Sequence, residues 1–157
     1  MSDSSSQPDS ASAQSPAHPI ERLSHGQRNR CFGCGEDNPV GLHLHFRLEP
    51  DGSVSAEATP GTSYEGPPGH LHGGIIATLL DETMSKANRA SGEIALTRQL
   101  QVEYLRPIPS TQPVRLHGHV ERIEGRKLWT EATIQDAEGN TLATGKGFFI
   151  SVMKAPA

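Results

Sequence analysis

One stretch of the chain has helical periodicity, and the segments around it alternate. After Gly74 the apolar residues are Ile75, Ile76, Leu79, Leu80, Met84 and Ala87. That spacing fills a broad arc on one side of an α-helix. Thr78, Glu82, Lys86 and Arg89 fall together on the other side and are expected to face water. Asp81 belongs to neither group; it sits beside Ala77 and Asn88 at the border of the apolar arc. A carboxylate there is expected to be half-buried, and desolvation raises its pKa. Gly66, Pro67, Pro68 and Gly69 exclude regular structure upstream, and Ser91-Gly92 ends the helix. A lone helix with one apolar face has to bury that face on a sheet.

The sheet is visible as alternation. Val40, Leu42, Leu44, Phe46 and Leu48 are apolar, with His43, His45, Arg47 and Glu49 between them, which predicts a half-buried strand. Pro50-Asp51-Gly52 turns the chain into a short strand from Ser53 to Ala58. After the helix, a strand from Leu96 to Leu105 places Leu100, Val102 and Tyr104 on one face. Thr97, Gln99, Gln101 and Glu103 fall on the other. Strands over 114–123, 128–135 and 141–152 follow, the first two joined by a hairpin at Glu124-Gly125-Arg126. Two strands before the helix and four after it leave no helices for parallel crossovers. The expected class is α+β, with a largely antiparallel sheet.

Composition narrows the function. The chain of 157 residues carries a net charge of −4 without a strong basic block, which argues against nucleic acid as a partner. No apolar run approaches the roughly 18 residues of a membrane span. The first residues have no apolar signal segment, and they carry Asp3 and Asp9 but no Arg, unlike a mitochondrial transit peptide. Residues 1–24, rich in Ser, Pro, Ala and Gln, are expected to be a disordered tail, leaving 25–157 as the folded domain. His18 and His25 in or near the tail are expected to be solvated. Cys31 and Cys34 are too close together to form a disulfide framework and fit a reducing, cytoplasmic setting. With His43 and His45 nearby they hint at a metal knuckle over 31–41. A structural zinc site usually takes four ligands, however, and no second cysteine pair exists. The expectation is a turn-rich segment with no metal and no cofactor.

Gly73 and Gly74 lie at the helix N-terminus, where amide N–H groups lack helical partners and the macrodipole is positive. Without side chains there, a ligand oxygen can approach closely. An amide donor and a carboxylate two turns along the same helix can flank a small reacting group. The plainer alternative is that the glycines permit tight packing and Asp81 is solvated.

These residues, GPPGHLHGGIIATLLDETM, together with LTRQLQVEYLRPIP, VERIEGRKLW and ATGKGFFISV, keep their order and spacing over residues 40–152. In this the chain resembles the hotdog-fold acyl-CoA thioesterases of the phenylacetate-pathway type. It is most similar to the mammalian mitochondrial long-chain branch of that superfamily. The resemblance implies a sheet wrapped around the central helix and a homodimer, often a dimer of dimers, acting on acyl-CoA. It implies Asp81 as general base or as nucleophile through an anhydride, and the Gly73 amide as polariser of the thioester carbonyl. It implies that the Thr97 hydroxyl reaches in from the partner subunit and that His72 fixes the entry turn near the sulfur. Gly74 and Glu103 are implied near the bound substrate, with Arg126 and Lys127 on the coenzyme A phosphates. No counterpart of the mammalian targeting segment is expected here. A hotdog domain can also bind acyl-CoA without turning it over.

Overall fold

The computed structural model describes His25 and residues 28–156. The Ser/Pro-rich tail and His18 lie outside the described residues. The elements are β1 (Arg47–Leu48), β2 (Val54–Ala58), a 3₁₀ turn (Thr62–Tyr64), α1 (Gly73–Ala90), β3 (Glu93–Tyr104), β4 (Val114–Glu124), β5 (Lys127–Gln135) and β6 (Thr141–Lys154). The strands form one sheet in the order β1-β2-β4-β5-β6-β3, antiparallel at every pairing. Two strands precede α1 and four follow it, as the alternation predicts. The sheet wraps the helix in a hotdog fold.

The helix begins at Gly73 because His72 is extended and caps it: the Gly74 N–H donates to His72 Nδ1 at 2.8 Å. It stops because Ser91 and Gly92 (φ 94°) bend the chain straight into β3. Leu79, Leu80 and Met84 are fully buried, against Val54, Leu116, Ile134 and Phe149 of the sheet. Burying each such side chain contributes roughly 1.5–3 kcal/mol. The helix can lie this close because glycines face it. A Cβ on Gly118 would stand 2.8 Å from Thr83 Cγ2, and one on Gly145 would stand 3.2 Å from Leu80 Cβ.

Two expectations need correction here. The first strand is largely absent as a ladder. Leu44 and Phe46 are buried and His43 and His45 point outward, so the alternation of burial holds. Only Arg47 and Leu48 pair with β2, however. The Leu42 and Leu44 amides donate instead to the carbonyls of Phe32 and Gly33, at 2.7 and 2.9 Å, and His43 takes a positive φ of 49°. The cysteine segment thus competes for the hydrogen bonds that a strand would have used.

The second correction concerns the far side of α1. Glu82 and Lys86 do not face water: they are 8% and 2% exposed. The turn over Cys31–Gly35 packs on them. It is closed by the Gly35 N–H donating to the Cys31 carbonyl at 2.8 Å. A Cβ on Gly33 would lie 2.6 Å from the Glu82 side chain, so only glycine lets the turn sit this low. Glu82 and Lys86 pair along the helix at 3.2 Å. The helix is therefore enclosed on both sides, by the sheet and by the cysteine turn.

Gly118→Ala should lower the unfolding free energy by about 1–3 kcal/mol, since Thr83 and the helix backbone must give way. His72→Ala should cost about 1 kcal/mol through loss of the cap. Urea unfolding midpoints measure both, and an unchanged midpoint for either variant would refute the contact assigned to it.

Candidate active site

Asp81 sits on α1 at the level where β3 leaves the helix end and runs back beside it. The Thr97 hydroxyl donates to Asp81 Oδ1 at 2.7 Å. Alternation alone puts Thr97 on the face of Gln99 and Glu103, away from the helix. The structure differs because β3 bulges between Thr97 and Gln99. Thr97 stands opposite the inward-facing Phe149, whereas Gln99 stands opposite the outward-facing Phe148. An extra residue in one strand re-aims side chains in just this way. The bond also forms within one chain, whereas the resemblance implied a hydroxyl from the partner. The tight Ser91–Gly92 connection is the reason: it leaves β3 no choice but to run alongside its own helix.

Burial raises the pKa of Asp81 above the usual carboxylate range. The Thr97 hydrogen bond works against that shift, and the negative charge of neighbouring Glu82 adds to it. A poorly solvated carboxylate with one oxygen fixed and the other uncommitted is suited to taking a proton or attacking a carbonyl.

The helix N-terminus is a separate centre. The Gly74 N–H is used by His72, so it is not available to a ligand. No acceptor among the described residues meets the Gly73 N–H. Tyr104 Oη donates to the Gly73 carbonyl at 2.9 Å and braces the first turn. Sequence reasoning gave Tyr104 no role, although its position in the Leu100/Val102 alternation already pointed it at the helix. A largely apolar cleft of about 500 Å³ opens beside Gly73, walled by Leu71, Ile76, Tyr104 and Ile108. Glu65 turns away into its own loop, where it accepts a hydrogen bond from Ser110 Oγ at 2.6 Å.

The remaining candidates divide. Lys127 stands opposite Ile150, and Ile150 stands opposite Leu96. The basic hairpin tip is thus two strand spacings, about 10 Å, from the end of β3 that carries Thr97. Lys127 is exposed. Arg126 is partly committed, with Nε donating to the Ser151 carbonyl at 2.9 Å. Glu103 faces outward, on the side of the sheet away from Asp81. A larger cleft of about 930 Å³ also lies on that outer face, lined by Trp129, Phe148 and Arg122. It contains neither Asp81 nor Gly73. Cys34 is no candidate nucleophile. Burial, with Glu82 beside it, pushes its thiol up to about 12, so it stays protonated.

The Thioesterase superfamily model matches residues 68–143. The acyl-coenzyme A thioesterase THEM4 of Mus musculus is 39% identical over 84 residues, which are 54% of this chain and 36% of the mouse protein. The chain thus spans well under half the length of that relative. A crystal structure described as a thioesterase superfamily protein is 35% identical, with a TM-score of 0.74, over 78% of this chain and 63% of its own. A Streptococcus mutans protein solved bound to acetyl CoA shares the fold at 18% identity. Its TM-score is 0.67, over 72% of this chain and 91% of its own. By its matched core, its helix-wrapping sheet and these likenesses, the chain is similar to the thioesterase superfamily and has the hotdog fold.

Proposed function

We propose that the chain hydrolyses an acyl-CoA thioester to the free acid and coenzyme A, in a site that two copies of the chain complete together. The observation that carries this reading is the half-buried Asp81, fixed by Thr97 at the end of the sheet that also bears Arg126 and Lys127. The relatives named acyl-coenzyme A thioesterase and the neighbour bound to acetyl CoA support the substrate class. The two free cysteines keep a cytoplasmic setting within this reading.

The need for a second copy comes from helix geometry. Gly73 and Asp81 are eight residues apart on α1. At about 1.5 Å per residue they are separated by roughly 12 Å along the axis. That is too far for the amide to hold the carbonyl oxygen of a thioester whose carbon Asp81 serves, because both must lie about 3 Å from the reacting group. The strand beside the helix offers the solution. β3 is an edge strand of 12 residues, without a partner on its outer side among the described residues, and Leu96 is 63% and Tyr104 54% exposed. Such an edge is a template for another strand. Pairing with its own copy about a two-fold axis is antiparallel, so the Thr97 end of one strand meets the Tyr104 end of the other. Each Asp81 is then brought to the partner's Gly73.

In this site Asp81 removes a proton from water, and the hydroxide attacks the thioester carbon. The oxyanion that forms accepts the Gly73 N–H at the positive end of the helix dipole. The tetrahedral intermediate collapses, the carbon–sulfur bond breaks, and the thiolate takes the proton. In the alternative order Asp81 itself attacks and water opens the resulting anhydride; the same oxygen serves either route. The cleft beside Gly73 offers room for the apolar part of the substrate. In this reading Lys127 and the free edge of Arg126 meet the coenzyme A phosphates.

Thiol release across acyl-CoAs from acetyl to palmitoyl, with phenylacetyl and benzoyl, tests the activity. Asp81→Ala should lower kcat by about 10²–10⁴-fold while the fold persists. Retained turnover in the folded variant would sink the mechanism, and binding without turnover in the parent chain would make it an acyl-CoA-binding module. Mixing Asp81→Ala with Gly73→Val chains tests the shared site. Subunit exchange should restore activity that neither variant has alone, because one site of each mixed dimer is intact. No recovery from mixed dimers would place both groups in one subunit.

A further inference from the structure

The side of α1 turned away from the sheet holds a cluster that thioester chemistry does not use. His25, Cys31, Cys34 and Glu82 come from three separated segments. Their donor atoms all lie within 4.8 Å of one another. Cys31 Sγ is 3.6 Å from Glu82 Oε2, and His25 Nε2 is 3.9 Å from Glu82 Oε1. Metal–ligand bonds of about 2.0–2.3 Å in a tetrahedron put neighbouring donors roughly 3.3–3.8 Å apart. The cluster is already near that spacing without a cation. We propose that His25, Cys31, Cys34 and Glu82 form a structural zinc site that clamps the N-terminal segment onto the back of the central helix.

The second observation is Glu82 itself. Its Oε1 is enclosed and accepts no hydrogen bond, although the residue is only 8% exposed. Lys86 Nζ lies 3.2 Å away but outside hydrogen-bonding geometry. The Lys86 charge offsets part of the cost of burying Glu82, but an enclosed oxygen without a hydrogen bond stays costly unless something further binds it. A cation among the four donors satisfies it.

Charge and surroundings fit. Binding zinc releases the two thiol protons to solvent. The two thiolates and Glu82 then carry three negative charges. The metal and Lys86 return three positive ones, so the buried assembly is neutral. Lys86 Nζ is 3.1 Å from Cys34 Sγ, and Asn29 Nδ2 lies 3.5 Å from the same sulfur. Donors of this kind stabilise a ligating thiolate from outside the coordination shell. Two sulfurs, one imidazole and one carboxylate at four-coordinate spacing favour zinc over the harder magnesium or calcium. With four protein ligands and a covering turn, no position stays open for substrate, so the role is structural.

Sequence spacing hid this arrangement. His43 and His45 are the histidines near the cysteines in sequence, but His43 Nε2 meets the Asn38 carbonyl and His45 pairs with Glu36 at 3.4 Å. The other two ligands are instead a histidine at the edge of the tail and a helix glutamate that was expected to face water.

The test is elemental analysis of the full-length protein, expressed with zinc and dialysed exhaustively. About one zinc per chain is expected, falling to none in the Cys31→Ser, Cys34→Ser double variant. His25→Ala removes a ligand at the rim of the fold, so it should stay folded and bind zinc more than about tenfold more weakly. Cobalt added to metal-free protein should give thiolate-to-cobalt charge transfer and tetrahedral ligand-field bands. A folded wild-type chain that takes up neither metal, or a cobalt spectrum without thiolate bands, would overturn the proposal. So would undiminished zinc binding by folded His25→Ala.

Discussion

Everything in this molecule depends on the enclosure of α1. The sheet covers its apolar arc through Leu79, Leu80 and Met84, and the cysteine turn covers the opposite side over Glu82 and Lys86. A helix held on two sides cannot roll or slide without breaking close contacts on both. That immobility has a chemical use. Asp81 lies between the two covered sides, where it loses part of its hydration but still reaches the β3 end through Thr97.

The fold was largely legible because its signals are local. Helical spacing from Ile75 to Ala87 and the alternation over 96–105, 114–123, 128–135 and 141–152 depend on neighbours along the chain, and those elements appear within a few residues. What failed depends on distant partners. The Val40–Leu48 alternation gave the correct burial from Leu42 to Phe46, with Val40 exposed, but not a ladder, because Phe32 and Gly33 capture the amides. Glu82 and Lys86 read as solvated because nothing in their own heptad announces that residues some fifty positions earlier will cover them.

The candidate site shows the same division. Asp81 at the edge of the apolar arc and the exposed amide at Gly73 are helix properties and could be read from spacing. The orientation of Thr97 could not, since a bulge of one residue reverses the face and alternation assumes there is none. His72 as the cap of the helix lies between these cases: the family resemblance implied that it fixes the entry turn, but the bond to the Gly74 amide is a matter of rotamer.

The order of strands carries a consequence for how the protein is made. β3 follows the helix in sequence, yet its one neighbour in the sheet among the described residues is β6, which begins at Thr141. On the ribosome, at about 5–20 residues per second, β3 therefore emerges seconds before its partner exists. During that interval the nascent chain carries an amphipathic helix and a bare strand, and the bulge that aims Thr97 has nothing to form against. The Asp81–Thr97 pair is thus assembled by the last of the described strands to be synthesised. A chain interrupted before β6 would keep every residue of the candidate site and still lack the geometry that holds them.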